Sequence, residues 1–141
     1  MQYCIDSNIF LRVLARDNEK QFYSCSKFLK LVKQNKVEAY TLTVLLTEVV
    51  WTLNSYYKFE KEETLRALRS ILNLGGLKIY DRYDHLKASG LYDKYPIKFI
   101  DALIASDSQI LEKKVTVVSY DKDFDKLPVI RKEPNDIIRL V

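Results

Sequence analysis

Short apolar stretches alternate with amphipathic helical patterns along this chain, and that alternation leaves few folds open. Tyr3-Cys4-Ile5, Val37 to Thr41, Leu77-Lys78-Ile79-Tyr80 and Thr116-Val117-Val118-Ser119 read as strands. Between them, apolar residues recur at three- and four-residue steps. One helix starts from a cap at Ser7 or Asn8 and runs to about Ala15. A second spans Asn18 to Gln34, with Phe22, Cys25, Phe28, Leu29 and Val32 in its stripe. Thr43 to Tyr57 is read with Val44, Leu45, Val49, Trp51 and Leu53 inward. Lys61 to Leu74 is read with Leu65, Leu68, Ile71 and Leu72 inward, and Gly75-Gly76 stops it. Asp84 to Tyr92 and Ile100 to Lys113 complete the helices, and a last short strand is expected at Ile137 to Leu140. Strands alternating with helices argue for an α/β fold in three layers, a mostly parallel central sheet flanked by helices, with right-handed crossovers. At 141 residues, 48% of them hydrophobic, the chain is long enough for one real core, so a single domain over residues 1–141 is expected.

Several functions are excluded early. Three glycines, with no GxGxxG and no GxxxxGK followed by Ser or Thr, leave neither a dinucleotide fingerprint nor a phosphate-binding P-loop. Two cysteines, Cys4 and Cys25, lie in apolar patterns, and His85 is the only histidine, so no thiolate or imidazole zinc site can be built. Both cysteines are expected buried and reduced. No basic stretch followed by an apolar core opens the sequence, and no run approaches ~18 apolar residues, so a cytoplasmic protein away from membranes is expected. The balance of 23 basic against 19 acidic residues gives +4, spread without a tail; this is compatible with a polyanionic partner. Lys27, Lys30 and Lys33 lie outside the second helix's stripe and read as a solvated face.

Four acids stand where acids are unusual. Asp6 directly follows the first strand, and Asp121 follows the strand ending at Ser119, with Asp123 and Asp125 close behind. In an open parallel sheet both would lie at the rim where ligands bind. Glu48 has Val44, Leu45, Trp51 and Thr52 as its helical neighbours, and Asp101 has Ile104, Ala105 and Ser108; both carboxylates are therefore on or beside packed faces. Taken singly they have plainer readings. Asp6 is a helix cap, Asp101 a first-turn acid, Glu48 a paired structural acid, and Asp123 and Asp125 are turn residues. Taken together they would repel and raise one another's pKa values unless a cation sat among them. A donor set of oxygens alone suits Mg²⁺ or Mn²⁺, the ions that assist phosphodiester hydrolysis.

Four segments carry a family resemblance. Ile5-Asp6-Ser7-Asn8-Ile9-Phe10-Leu11-Arg12, Leu46-Thr47-Glu48-Val49-Val50-Trp51-Thr52-Leu53, Phe99-Ile100-Asp101-Ala102-Leu103-Ile104-Ala105 and Val118-Ser119-Tyr120-Asp121-Lys122-Asp123-Phe124 occur in this order. They resemble the motifs of PIN-domain ribonucleases, specifically the VapC toxins of toxin–antitoxin pairs. The resemblance implies a PIN-like (Rossmann-like) fold and a metal-dependent endoribonuclease. In that reading Asp6, Glu48, Asp101 and Asp121 are the catalytic acids that hold Mg²⁺ or Mn²⁺. Asp123 is a further metal-site acid, and Ser7, Asn8 and Ser119 support them. Ser7 and Ser119 stand where threonine is commoner, and both keep the hydroxyl. Arg12, Lys98 and Lys122 are candidate contacts to RNA phosphates. The alternative is a non-catalytic PIN-like module that binds RNA or protein; such modules usually lack one or more of the acids, and all four are present here.

A receiver domain would need an acidic pair after the first strand, and an aspartyl phosphatase a D-x-D; Asn8 occupies that place. The helices over residues 18–34, 43–57 and 61–74 carry more apolar and aromatic side chains than a small sheet needs, among them Tyr23, Phe28, Trp51, Tyr56, Tyr57 and Phe59. With the resemblance, they imply a homodimer and a VapB-like antitoxin seated beside the acidic groove.

Overall fold

The computed structural model describes residues 1–141. Its strands are β1 (Gln2–Ile5), β2 (Glu38–Thr41), β3 (Leu77–Ile79), β4 (Val115–Val118) and β5 (Arg131–Lys132). They form one sheet in the order β3-β2-β1-β4-β5, and every neighbouring pair is parallel. Cys4 in β1 lies opposite Tyr40 of β2 on one side and Val117 of β4 on the other. The chain thus builds outward from β1 in both directions. The order reverses between β1 and β4, which opens a crevice beyond their carboxyl ends. β4, Val-Thr-Val-Val, is buried along its whole length, as a strand covered on both faces must be.

Eight α-helices surround the sheet: α1 (Ser7–Leu14), α2 (Glu19–Lys33), α3 (Thr43–Ser55), α4 (Lys61–Leu72), α5 (His85–Lys94), α6 (Phe99–Ala105), α7 (Ser108–Leu111) and α8 (Pro134–Ile138), with a 3₁₀ turn over Lys122–Lys126. Side-chain alternation along the strands separates two cores. On one face Tyr3, Ile5 and Val118 meet Ile9, Phe28, Val49, Ile71 and Ile137 from α1, α2, α3, α4 and α8. On the other, Cys4, Tyr40 and Val117 meet Ala88, Ala102, Ile104, Ile110 and Phe124 from α5, α6, α7 and the 3₁₀ turn. Both cysteines are free and buried. No helix is long and apolar enough to cross a membrane.

The strand expected at Ile137 to Leu140 is absent. β5 lies earlier, and Ile137 is buried on α8, whose start is fixed by Pro134 in its first turn and by reciprocal capping between Glu133 and Asp136. The helix expected from Ile100 to Lys113 is two helices. Ser106 Oγ donates to the Leu103 carbonyl at 2.7 Å, and Asp107 caps the next helix by accepting from Gln109 N at 2.9 Å. Both side chains compete with the helical backbone, and the axis breaks between them. The first helix is capped by Asp6 rather than Ser7 or Asn8. On α3 the buried stripe is Leu45, Val49 and Leu53, in steps of four; Trp51 falls off it and is 67% exposed. Leu65 and Leu72 are likewise outward on α4, where Thr64, Ala67 and Ile71 face the core.

Candidate active site

At the crevice beyond β1 and β4 lies a cleft of about 320 Å³ whose walls include Asp6, Glu48, Trp51, Lys98, Asp101 and Asp121. Four separate segments deliver these side chains. Asp6 ends β1, with its backbone N–H bonded to the Val118 carbonyl at 3.0 Å. Its Oδ1 accepts from Ser7 N at 2.8 Å, and its Oδ2 accepts from Ser119 Oγ at 2.6 Å and Asn8 Nδ2 at 3.2 Å. Asp6 is therefore a helix cap and a cleft residue at once. Ser7 Oγ donates to Glu48 Oε1, which ties α1 to α3.

Ser119 is the hub. Besides donating to Asp6, its hydroxyl accepts from Asn8 Nδ2 at 2.9 Å and from Asp121 N at 2.9 Å. That uses its one proton and both lone pairs. Asp121 Oδ1 in turn accepts from Asp123 N at 2.9 Å, which starts the 3₁₀ turn. Asn8 closes the ring by accepting from Tyr120 N at 3.3 Å. The polar residues Ser7, Asn8 and Ser119 thus fix the acids in place.

Asp101, Asp121 and Asp123 offer carboxylate oxygens that all lie within 4.8 Å of one another. Asp6 and Glu48 line the same cleft but stand outside this tightest group. Asp101 is only 2% exposed, and its Oδ2 is buried without a hydrogen-bond partner. An orphaned carboxylate oxygen in the interior is costly, and a cation would remove that cost. Burial pushes the Asp101 carboxyl up to about 7; Lys98 opposes this, and Asp121, Asp6 and Asp123 add to it. Burial also raises Asp6 to about 6, against its bonds from Ser119 and Ser7 and with help from Glu48 and Asp121. The donor set is oxygen only, with its most buried member, Asp101, lacking a partner for one oxygen, which fits Mg²⁺ or Mn²⁺.

The nearby cations are lysines. Lys98 Nζ stands 3.5 Å from Asp121 Oδ2. Burial alone would lower the Lys98 pKa, but Asp101, Asp121 and Glu48 outweigh it and the net shift is upward. Lys126, rather than Lys122, pairs with Asp123, at 2.8 Å; Lys122 is exposed and in no ion pair. Arg12 points elsewhere, bonding Gln21, Asp17 and Tyr57. Behind Ser119, Arg131 donates to its carbonyl at 2.9 Å and grips both oxygens of Asp125 at 2.9 and 3.2 Å. The role of Arg131 was invisible in the sequence because it depends on β5 being the neighbour of β4. His85 stacks near Tyr83 and does not line the cleft.

The PIN domain family model matches residues 3–130, which include every one of these acids and Ser119. The chain belongs to the PIN domain family. This PIN domain is similar to the crystal structure of VapBC2 from Rickettsia felis bound to a DNA fragment from their promoter. The TM-score is 0.67 and the identity 22%, over 94% of this chain and 98% of the other. It is also similar to PAE2754 from Pyrobaculum aerophilum, with a TM-score of 0.69 and 14% identity over 99% and 95% of the two chains. No curated protein matches the chain. At these identities the two structures speak for a shared fold, and the α/β architecture expected from the strand–helix alternation is the one found.

Proposed function

We propose that this PIN domain is a Mg²⁺- or Mn²⁺-dependent endoribonuclease and the toxin of a toxin–antitoxin pair. One observation carries the reading: acids from distant segments share a cleft at the sheet's switch point, and the most buried of them has an oxygen without a partner. Asp101, Asp121 and Asp123 would hold the cation, with Asp6 and Glu48 completing the acidic wall. When bound, the cation supplies an activated water and stabilises charge on the phosphodiester as its P–O bond breaks.

The chain's own residues prepare that reaction. Ser119, Asn8 and Ser7 hold the Asp6 and Glu48 carboxylates so that they need not reorganise. Lys98, at the rim, meets an incoming phosphate and offsets the acids' repulsion of RNA. No histidine is near enough to serve as a general base. A VapB-like antitoxin is the proposed partner, by likeness to a VapBC2 complex. A homodimer is proposed from the exposed aromatic side chains Tyr23, Trp51 and Tyr56.

The test is incubation of purified protein with total cellular RNA in Mn²⁺, in Mg²⁺ and in EDTA, with mapping of new ends. Discrete cuts that require the ion and vanish in Asp101→Asn support the proposal. Intact RNA under all conditions, or cleavage undiminished in EDTA, would overturn it, and intact RNA that is nevertheless bound would favour a non-catalytic module.

A further inference from the structure

Next to the acidic cleft is a second, wider one of about 660 Å³, lined by Tyr92, Asp93, Tyr95, Pro96, Ile97, Lys98 and Asp123. Lys98 borders both clefts, and Asp123 belongs to the acidic group, so the two adjoin. The wall is aromatic and open. Tyr92 is 53% exposed, far more than a core role would allow, and Phe99, outside the lining, is exposed as well. Their rings meet edge to face, with centroids 5.7 Å apart at 90°. That contact steadies Tyr92, about half of which stays open to solvent. Charges of both signs flank the aromatics: Lys94 Nζ lies 5.4 Å from the Tyr95 ring centroid, Lys126 reaches the Pro96 carbonyl at 3.3 Å while pairing with Asp123, and Asp93 and Asp123 line the cleft beside Lys98.

An exposed tyrosine ring in a cleft that shares Lys98 with a candidate phosphate site matches the needs of one ligand part in particular, a planar base attached to a phosphate. Single-stranded RNA is held in this way, by stacking on aromatics and by cations along its backbone. The size falls within the range of ordinary ligand sites, about 300–1,000 Å³. We propose that the Tyr92–Tyr95 cleft is a nucleobase subsite: it stacks the base of the nucleotide adjoining the phosphate that Lys98 receives, with Tyr92 the main stacking residue and Tyr95 a second wall. The proposal rests on the ribonuclease reading. It makes the subsite a determinant of where the enzyme cuts, because a base held in a duplex cannot enter it.

Fluorescence anisotropy of a labelled single-stranded hexaribonucleotide, measured with the full-length Asp101→Asn protein so that the RNA is not cut, tests this directly. Tyr92→Leu in that background should weaken binding by roughly 5- to 150-fold, the span expected for losing one base–aromatic stack. Tyr92→Phe should stay within about twofold, which shows that a ring is what matters. A duplex of the same sequence should bind no tighter in the parent than in Tyr92→Leu. Tyr92 is exposed, so its loss leaves the fold intact, and circular dichroism checks this. Equal binding by parent and Tyr92→Leu overturns the subsite, and so does a change in sedimenting mass with RNA binding unchanged, which would assign the patch to a protein contact. Cleavage by the otherwise unaltered protein separates the two readings. If it cuts RNA while Tyr92→Leu binds and cuts like it, the subsite fails and the nuclease stands. If it neither cuts nor binds, the nuclease reading falls and the subsite with it.

Discussion

Removing one negative charge from the acidic cleft should make the metal-free protein more stable, and only at neutral and alkaline pH. Asp101 is the residue to change, because its carboxyl is 2% exposed and has an oxygen with no partner. Its pKa rises from 3.8 to about 7 on folding. Between those values the folded protein holds a proton that the unfolded chain releases, so the stability of the fold declines as pH rises through this window. The penalty is absent below pH ~4 and complete above pH ~7. About three pH units at 1.36 kcal/mol each set a ceiling of about 4 kcal/mol. Asparagine brings an amide N–H₂ that must itself be satisfied, so a gain of about 2 kcal/mol is the reasonable expectation. For a chain of this length that is a rise in Tm of roughly 6 °C. Thermal unfolding of EDTA-treated Asp101→Asn and parent proteins, followed by circular dichroism, should show this difference at pH 8 and near-coincident curves at pH 4. Saturating Mg²⁺ should then raise the parent more than the variant. No gain at pH 8, or the same gain at both pH values, would refute the reasoning that an uncompensated carboxylate is stored here.

Ser119→Ala removes the hydroxyl that joins Asp6, Asn8 and Asp121, and should destabilise by about 1–3 kcal/mol, read from urea unfolding midpoints. Arg131→Met breaks the grip on Asp125, Glu133 and the Ser119 carbonyl. Arg131 holds the Asp125 carboxyl below its usual range, so the loss of stability should be largest above pH ~4 and shrink as the pH falls, in the same unfolding assay. The only tryptophan, Trp51, lines the cleft and is exposed, so Mn²⁺ should quench its fluorescence saturably, and Asp101→Asn should weaken that response at least tenfold. Light scattering at micromolar concentration should give twice the 16.6 kDa of one chain; a single-chain mass across that range would remove the proposed dimer but not the nuclease.

The acids were readable because two of them follow strands and two interrupt helical stripes. Both signals are local, and parallel strands bring their ends to one rim. The same local logic misplaced Trp51. Apolar character alone put it inward, whereas the four-residue steps of Leu45, Val49 and Leu53 leave it on the cleft wall. The break at Ser106-Asp107 was legible in principle, since both side chains favour caps, but the apolar residues on either side masked it. The start of α8 is also written in the sequence, as Glu133-Pro134 followed by Asp136, a capping signal that outweighs the strand expected at Ile137 to Leu140. That Lys126 and not Lys122 meets Asp123 could not be read at all, because it depends on the pitch of a 3₁₀ turn. Arg131 belongs to the same class: its partners exist only once the sheet order is known.

The ring around Ser119 has a consequence for the order in which this protein is made. Asp6, Glu48 and Asp101 all precede β4 in the chain, yet the hydroxyl that fixes Asp6 and the segment carrying Asp121 arrive only with β4, the strand that packs against β1 on its second side. Until Val115–Val118 has left the ribosome and paired, β1 has a bare edge and Asp6 lacks the Ser119 hydroxyl. A chain stalled or truncated before that strand would carry three of the acids and no site. The acidic cleft is therefore completed late, only once β4 and the turn after it have joined the sheet.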